Sequence, residues 1–226
     1  ESRSEEYQPE FVAERDSKHI LRPEDKKILV AAHKIGETLV IKGPSQIGKT
    51  TLLQRYIQEC EKARKKVCFI DFARFGNEEL SSYSIFLSNL AWSIKEELDI
   101  NNSEFPEIKN QNMMVSYFRK HILDVTIGHL TIAFDEVDRI MERSYSSEFF
   151  SMLKIFHESR SHTRWRETDL VLVISTEPHL FINESKRSPF NVGLNVVLNP
   201  FSFEECSALN KNYEKQRLKW KNIHNK

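Results

Sequence analysis

The 226-residue sequence has little of several features that would assign it to a particular class of protein. It has no net charge, because 33 basic residues balance 33 acidic ones, so no overall field favours nucleic acid or an anionic membrane. It has only three cysteines, which lack the short spacing of a metal box and suit a reduced cytosolic protein. No apolar run approaches the length of a membrane span, and no signal peptide is recognisable. We therefore expect a cytoplasmic protein without a membrane partner.

The length is sufficient to bury a full core, and the hydrophobic pattern indicates one α/β domain. Five short runs rich in Val, Ile, Leu and Phe predict buried strands, at residues 38–41, 67–71, 130–134, 170–174 and 195–198. Helical patterns lie between them, so we expect a parallel sheet covered on both faces. Ligands bind such sheets at the carboxyl ends of the strands. The polar residues that follow these runs are therefore the candidate functional residues.

Capping and breaking residues indicate where several helices begin and end. Pro23 is suited to the first position of a helix that runs to about residue 33. Helical patterns cover residues 82–98 and 112–125, and Ser147 is placed to cap a helix that ends near residue 159. Ser202 and Glu205 form the pattern of a capping box for a C-terminal helix.

The most informative segment is Gly43-Pro44-Ser45-Gln46-Ile47-Gly48-Lys49-Thr50, which fits the phosphate-binding pattern G-x-x-x-x-G-K-S/T at every fixed position. It lies between a predicted strand and a predicted helix, as that loop requires. The glycines allow the backbone to wrap closely, so that consecutive N–H groups and a helix N-terminus point at phosphate. Lys49 supplies a charge for the β- and γ-phosphates, and the hydroxyl of Thr50 is a ligand for Mg²⁺. We assign this segment, together with Thr51, to nucleotide binding.

A second polar cluster follows the third predicted strand, at Asp135, Glu136 and Asp138. An apolar strand that delivers an acidic pair is what a Walker B site requires, because Mg²⁺ needs a nearby carboxylate. Glu136 is then the general base that polarises the attacking water. An acidic pair is also common at ordinary strand ends, and it is the phosphate loop that favours the functional interpretation. For Asp138 the simpler interpretation is an acid at the start of a helix.

Two further residues leave alternatives open. Thr176 follows the fourth predicted strand, where its hydroxyl could hold water or the γ-phosphate, or could cap the segment after Pro178. Arg187 precedes the fifth strand and could stabilise charge on the γ-phosphate, in cis or from a neighbouring subunit. A lone basic pair such as Lys186 and Arg187 is also typical of a solvated face.

Together these segments resemble the AAA-like ATPase domain family, P-loop NTPases of AAA+ and STAND type in prokaryotic multidomain proteins. The resemblance rests on residues 43–51 and 134–138 and on a pair of blocks at 186–193 and 200–205, and it spans about residues 10–213. It implies a three-layer sandwich around a five-stranded parallel sheet of AAA+ (ASCE) type. In that sheet the strand before Thr176 lies between the phosphate-loop strand and the Walker B strand.

The resemblance also implies roles for single residues. Asp135 is expected to be the Mg²⁺ carboxylate, Glu136 the catalytic base and Thr176 the sensor residue. Arg187 falls where related AAA+ proteins carry a trans-acting arginine finger.

The two ends of the chain are interpreted with the same family in view. Residues 1–20 are expected to form a polar leader, residues 21–202 the ATPase core, and residues 203–226 a charged helix, for which the start of a lid is one interpretation. Arg22 and Pro23 lie in a segment similar to the family's opening motif, which implies a position near the adenine. AAA+ proteins continue into a helical lid, which is expected here to be absent or truncated.

These features predict a Mg²⁺-dependent ATPase that acts as a nucleotide-controlled switch for assembly or effector control, in a prokaryotic signalling or defence system. Its cofactors would be ATP and Mg²⁺, and its partners further copies of the chain or an attached effector. ATP is favoured over GTP because no guanine-reading N-K-x-D follows the fourth strand. One alternative is an ATP-dependent nucleic-acid loader or a transposition-type AAA+ regulator, although the neutral charge argues against it. Another is a nucleotide-gated scaffold that binds ATP without turnover.

Overall fold

The computed structural model describes residues 20–100, 104–161, 163–175 and 192–224. Their centre is a five-stranded sheet in which every pair of neighbouring strands is parallel. The strands are β1 (Thr38–Gly43), β2 (Lys66–Asp71), β3 (Leu130–Asp135), β4 (Thr168–Ser175) and β5 (Leu194–Val197). Their order across the sheet is β2-β3-β4-β1-β5, so β4 lies between the phosphate-loop strand and the strand that ends in Asp135. This is the order that the family resemblance implied.

The helices of the described residues alternate with the strands. They are α1 (Pro23–Ala31), α2 (Lys49–Lys62), α3 (Tyr83–Glu97), α4 (Gln111–Phe118), α5 (Asp138–Met141), α6 (Ser146–Glu158), α7 (Thr163–Arg166) and α8 (Phe203–His224). Short 3₁₀ turns occur at Phe72–Arg74 and Ser159–Ser161, and a π-helical turn at Arg119–Leu123 follows α4. None of the helices in these residues is long and apolar enough to cross a membrane.

The core forms two layers, one on each face of the sheet. On one face α1 and α2 pack against Leu39, Ile41 and Val171, and on the other α3, α4 and α6 pack against side chains such as Phe134 and Leu172. Because successive side chains of a strand point to opposite faces, a strand covered on both sides needs an apolar residue at nearly every position. The continuous apolar runs of the sequence therefore correspond to the predicted three-layer α/β sandwich.

Several local predictions differ from the structure. The pattern at 112–125 predicted one helix, but α4 ends at Phe118 and gives way to the π-helical turn. Ser147 does not cap α6, since it lies inside the helix and its hydroxyl donates to the carboxylate of Glu148. The helix that begins at Pro23 ends at Ala31, two residues before the predicted end. Each difference lies at a helix end, where periodicity carries the least information.

The C-terminal helix α8 begins as predicted, with a capping box. The N–H of Ser202 donates to the Glu205 carboxylate (2.8 Å), and the N–H of Glu205 donates to the Ser202 hydroxyl (3.2 Å). Two large apolar side chains on its first half are not packed, because Phe203 is 84% exposed and Tyr213 is 51% exposed. Residues 1–19, Thr176 and Arg187 lie outside the described residues, so the predictions for them stay predictions.

Candidate active site

The phosphate loop joins the end of β1 to the start of α2, and its two outer glycines are required for different reasons. A Cβ on Gly43 would lie 3.0 Å from the Cγ2 of Ile47 and 3.1 Å from the carbonyl oxygen of Leu198. Gly48 has a φ of +94°, in the left-handed region that a side chain disfavours. The first glycine therefore permits close packing and the second permits the sharp entry into the helix.

Lys49 places its amine inside this loop. Its Nζ donates to the carbonyl oxygen of Pro44 at 2.7 Å, and the residue is only 7% exposed. Burial lowers the pKa of Lys49, while the nearby carboxylates of Asp138, Glu136 and Asp135 act in the opposite direction. The amine can therefore exchange a backbone carbonyl for a phosphate oxygen without leaving the loop.

Thr50 and Asp135, the two predicted Mg²⁺ ligands, are in direct contact. The Oγ1 of Thr50 donates to the Oδ2 of Asp135 at 2.9 Å, and the Oδ1 of Asp135 accepts the N–H of Glu136 at 2.9 Å. Burial raises the pKa of Asp135, and these two hydrogen bonds oppose that rise. The end of β3 and the start of α2 thus meet at one pair of oxygen donors.

This donor set fits Mg²⁺. Mg²⁺ prefers oxygen ligands and is usually held by one or two protein groups, with water and substrate phosphates completing its octahedron. Within the described residues no group of three or more His, Cys, Asp or Glu could enclose a metal by itself. Two protein oxygens beside the phosphate loop match that manner of binding.

Glu136 is held in an unusual backbone conformation. Its φ is +56°, in the left-handed region, where a residue with a side chain is strained. Burial raises the pKa of its carboxyl, and the carboxylates of Asp138 and Asp135 add to the rise. Strain of this kind persists where the surrounding structure requires it, and it is concentrated at functional sites.

Asp138 and Asp71 belong to the same site, although the sequence assigned neither a role in it. Asp138 does begin helix α5, as expected, but its Oδ1 also accepts the N–H of Ser175 at 2.8 Å. It therefore ties the turn after β3 to the last residue of β4. Asp71 ends β2 in register with Asp135, and its charge adds to the rise in the pKa of Asp135. The available sequence signal was that two neighbouring strands both end in aspartate.

Arg22 also contacts the phosphate loop. Its Nη1 donates to the carbonyl oxygen of Ile47 at 3.2 Å, and its Nε donates to Asp25 at 3.1 Å. The residue is 3% exposed, whereas its neighbour Pro23 at the start of α1 is exposed. The structure thus brings the predicted opening motif to the loop.

With this geometry in view, comparison with known proteins identifies the family. A family model described as an AAA-like domain matches residues 8–224. The chain belongs to the AAA-like domain family. No curated protein matches the sequence significantly.

Several solved structures share the fold of this AAA-like domain. They include the Aeropyrum pernix ORC2 protein, from ADPNP–ADP complexes (TM-score 0.56, 12% identity, 86% of this chain and 51% of that one). Cdc6p from Pyrobaculum aerophilum gives a TM-score of 0.54 at 15% identity, over 92% of this chain and 52% of that one. Drosophila ORC bound to DNA gives 0.52 at 16% identity, over 79% and 42%. The chain spans about half the length of these proteins, and at such low identity the likeness concerns the fold alone.

Proposed function

We propose that this AAA-like domain binds ATP with Mg²⁺, hydrolyses it, and uses the nucleotide state as a switch. The observation that carries the proposal is the hydrogen bond between Thr50 and Asp135, which joins the phosphate-loop helix to the strand that ends in the acidic pair. The phosphate-loop motif predicts one half of such a site, and the acidic pair predicts the other. The contact between these two halves in the folded chain supports a single ATPase site.

The loop and the first turn of α2 are proposed to bind the phosphates. The N–H groups of the loop and of the 14-residue helix α2 provide donors and the positive end of a helix dipole. Lys49 adds a charge whose dehydration by burial strengthens its attraction to phosphate. Thr50 and Asp135 would hold Mg²⁺, which in bound form neutralises charge on the phosphate oxygens.

Glu136 is proposed as the base that orients and deprotonates the attacking water. Its raised pKa, caused by burial and by neighbouring carboxylates, makes the carboxylate a better proton acceptor. The left-handed turn at Glu136 and the hydrogen bond from Ser175 to Asp138 hold this segment against the end of β4. Thr176, the next residue after β4, is proposed as the sensor of the γ-phosphate.

The remaining assignments complete the proposed site. Pro23 is exposed at the start of α1 and, with Arg22, is proposed to lie beside the adenine. Arg187 is proposed to contact the γ-phosphate from a neighbouring copy of the chain. Because that contact needs a second copy, nucleotide state would control assembly or an attached effector, which suits a signalling or defence role.

Nucleotide binding and turnover can be tested separately on the purified chain. We expect it to bind a fluorescent ATP analogue more tightly with Mg²⁺ than with EDTA. Glu136→Gln should keep that affinity but lose about 10²- to 10⁴-fold in single-turnover hydrolysis, the usual contribution of a general base. Turnover by this variant equal to that of the wild type would overturn the role of Glu136. An affinity for the ATP analogue that does not depend on Mg²⁺ would overturn the metal site. Binding without turnover in the wild type, as monomer and as oligomer, would instead indicate a nucleotide-gated scaffold.

Nucleic acid is the second partner to test, because the fold is shared with an ORC that was solved bound to DNA. A loader should retain DNA in an ATP-dependent manner, and phosphate-driven binding must weaken steeply as salt is raised. Measuring DNA binding at two salt concentrations, with and without ATP, distinguishes a loader from a switch that acts on proteins.

A further inference from the structure

The segment between β5 and α8 contacts both ends of the phosphate loop. At the first end, the carbonyl oxygen of Leu198 lies 3.1 Å from the position that a Cβ on Gly43 would occupy. The N–H of Leu198 also donates to the carbonyl oxygen of Lys42 at 2.7 Å. The chain leaving β5 is therefore seated on the residues where the loop begins.

At the second end, the contact runs through the side chain of Arg22. The guanidinium donates to the carbonyl oxygen of Ile47 (3.2 Å) and to the carboxylate of Asp25 (3.1 Å). The ring of Phe201 lies over the same guanidinium, 4.9 Å from it to the ring centroid. Arg22 and Asp25 are 3% and 0% exposed, so this arrangement is shielded from water. One rigid, planar group thus contacts the loop on one side and the segment before α8 on the other.

Phe201 is tied in turn to the first turn of α8. The capping box of Ser202 and Glu205 follows it directly, and the N–H of Cys206 donates to the carbonyl oxygen of Ser202 at 2.9 Å. None of residues 203–214 is buried, so burial does not anchor this part of the helix. A displacement of Phe201 would therefore reorient the base of a 22-residue helix.

We propose that Arg22 and Phe201 form a relay that transmits occupancy of the phosphate loop to the orientation of α8. The inference rests on the proposed function and adds how the nucleotide state reaches the rest of the molecule. A nucleotide that changes the shape of the loop at Ile47 moves the guanidinium of Arg22, and the stacked ring of Phe201 transmits that movement to α8. The guanidinium suits this task because its planar fork holds Asp25 and Ile47 while its face remains free for an aromatic ring. Arg22 acts here through the loop and is a positioning residue.

The chain offers its own site for a reporter of this movement. Cys206 lies in the first turn of α8 and is exposed, whereas Cys60 and Cys68 are buried. An environment-sensitive maleimide dye should therefore label Cys206 selectively. We expect Mg²⁺ with a non-hydrolysable ATP analogue to change its fluorescence in the wild type, while binding of a separate fluorescent nucleotide is measured in parallel on unlabelled protein.

The decisive variant is Phe201→Leu, which removes the ring from Arg22 and leaves the phosphate loop, Arg22 and its partners Ile47 and Asp25 unsubstituted. We expect it to bind nucleotide with wild-type affinity and to lose most of the fractional dye response. Phe201→Tyr keeps an aromatic face and should retain the response. Phe203→Leu is the matched control, because Phe203 lies two residues along and is 84% exposed. Phe201→Met serves the same purpose as Phe201→Leu should the latter fail to fold by circular dichroism.

The outcomes separate the relay from the proposed function. Nucleotide binding without any dye response in the wild type would overturn the relay and leave ATP binding intact. A full response in Phe201→Leu, or in Phe201→Met where that variant replaces it, would also overturn the relay, as would an equal loss in Phe203→Leu. Absence of nucleotide binding to the wild type would overturn the proposed function itself, and the relay with it.

Discussion

The two ends of the central sheet bury charge to a similar depth but compensate it differently. At the amino end, Lys65 is 6% exposed and Asp169 is 1% exposed, and the two form an ion pair of 2.6 Å. Asp169 also accepts the hydroxyl of Thr131 (3.0 Å) and the N–H of Glu37 (2.9 Å), and Lys65 donates to the carbonyl oxygen of Lys34. Through Lys65, Asp169, Thr131 and the Glu37 N–H, the charges at the amino end are satisfied within the chain.

At the carboxyl end, Lys49 is 7% exposed and Asp135 is 3% exposed, but they are not paired in this way. Lys49 donates to a backbone carbonyl, and burial lowers its pKa. Burial raises the pKa of Asp135 and of Glu136; the charge of Asp71 adds to the rise for Asp135, and the charges of Asp138 and Asp135 add to the rise for Glu136. Polar groups of one chain can therefore stabilise one end of a sheet and leave the other arranged for a ligand. The two ends of the sheet differ in how their buried charges are paired, because the depth of burial is similar at both.

Lys49→Ala should produce the largest effect and should act only at the carboxyl end. We expect no measurable binding of a fluorescent ATP analogue, because the variant removes the charge proposed to face the β- and γ-phosphates. The protein should remain folded by circular dichroism, since the lost amine bonds only to the Pro44 carbonyl among the contacts described.

The matched control for that variant is Lys62→Ala, which removes an exposed lysine from the other end of the same helix. It should bind nucleotide like the wild type. If Lys49→Ala binds as well as Lys62→Ala, the phosphate loop is not the nucleotide site.

Asp169→Ala should produce the opposite result, a loss of stability with nucleotide affinity retained. It leaves the ammonium of Lys65 buried without its carboxylate, and breaking such a pair costs about 3–5 kcal/mol. In a domain of this size each kcal/mol lowers the Tm by about 2–4 °C. The phosphate loop adjoins the other end of β4, about 20 Å away at the rise of a strand, so the folded protein should bind ATP normally. Thermal unfolding and nucleotide titration measure the two effects.

Two further variants sharpen that result. Asp124→Ala removes an exposed carboxylate and should leave the Tm nearly unchanged. The double variant Lys65→Met with Asp169→Leu removes both charges and should recover part of the stability, because the buried unpaired charge is gone while the Thr131 hydroxyl and the Glu37 N–H still lack their acceptor. Failure of the double variant to recover any stability would contradict the view that the unpaired charge is the cost.

Thr50→Val tests whether the hydroxyl of Thr50 both stabilises Asp135 in the absence of nucleotide and binds Mg²⁺ in its presence. In the absence of nucleotide the variant should lose about 1 kcal/mol, because the buried Oδ2 of Asp135 loses its donor. Its affinity for ATP should no longer respond to Mg²⁺. Thr50→Ser keeps the hydroxyl and should behave like the wild type in both respects. A full response to Mg²⁺ in the valine variant would place the metal elsewhere.

The smallest predicted effect concerns pH and the amino end. The Nδ1 of His157 contacts the hydroxyl of Thr38 (3.0 Å) and the Nη1 of Arg160 (2.9 Å). Burial, with help from Arg160, lowers the pKa of His157 below its usual 6.5. Below that pH the unfolded chain takes up a proton that the folded protein resists. The free energy of unfolding should therefore fall as the pH drops from 6.5.

His157→Gln should reduce this loss, by less than about 1 kcal/mol, a modest effect of the size usual for partly exposed groups. Denaturant unfolding at pH 7.5 and pH 5.5 measures it. His121→Gln, which removes an exposed histidine, should leave the loss as in the wild type. An unchanged pH dependence in His157→Gln would exclude His157 as its source.

Much of the fold followed from the sequence because the signals were local. Each buried strand is a run of apolar residues, and Gly48 and Lys49 lie in a motif whose spacing is set by a single loop. The end of α4 was missed because the π-helical turn at Arg119–Leu123 keeps an apolar face that continues the helical pattern. The hydrogen bond from Ser175 to Asp138 and the stacking of Phe201 on Arg22 could not be foreseen. They join residues that are 37 and 179 positions apart, and no local pattern reports such pairs.

The sequence by itself determined that this protein is an α/β domain with a phosphate loop and an acidic pair, because periodicity and motif spacing are properties of short segments. Only the tertiary structure decided which charges are compensated. It paired Lys65 with Asp169 at one end of the sheet and held Lys49, Asp135 and Glu136 without such pairing at the other. A charged residue in a sequence carries no mark of its partner. Partners are chosen by the order of the strands, and that order brings the ends of β1, β3 and β4 together.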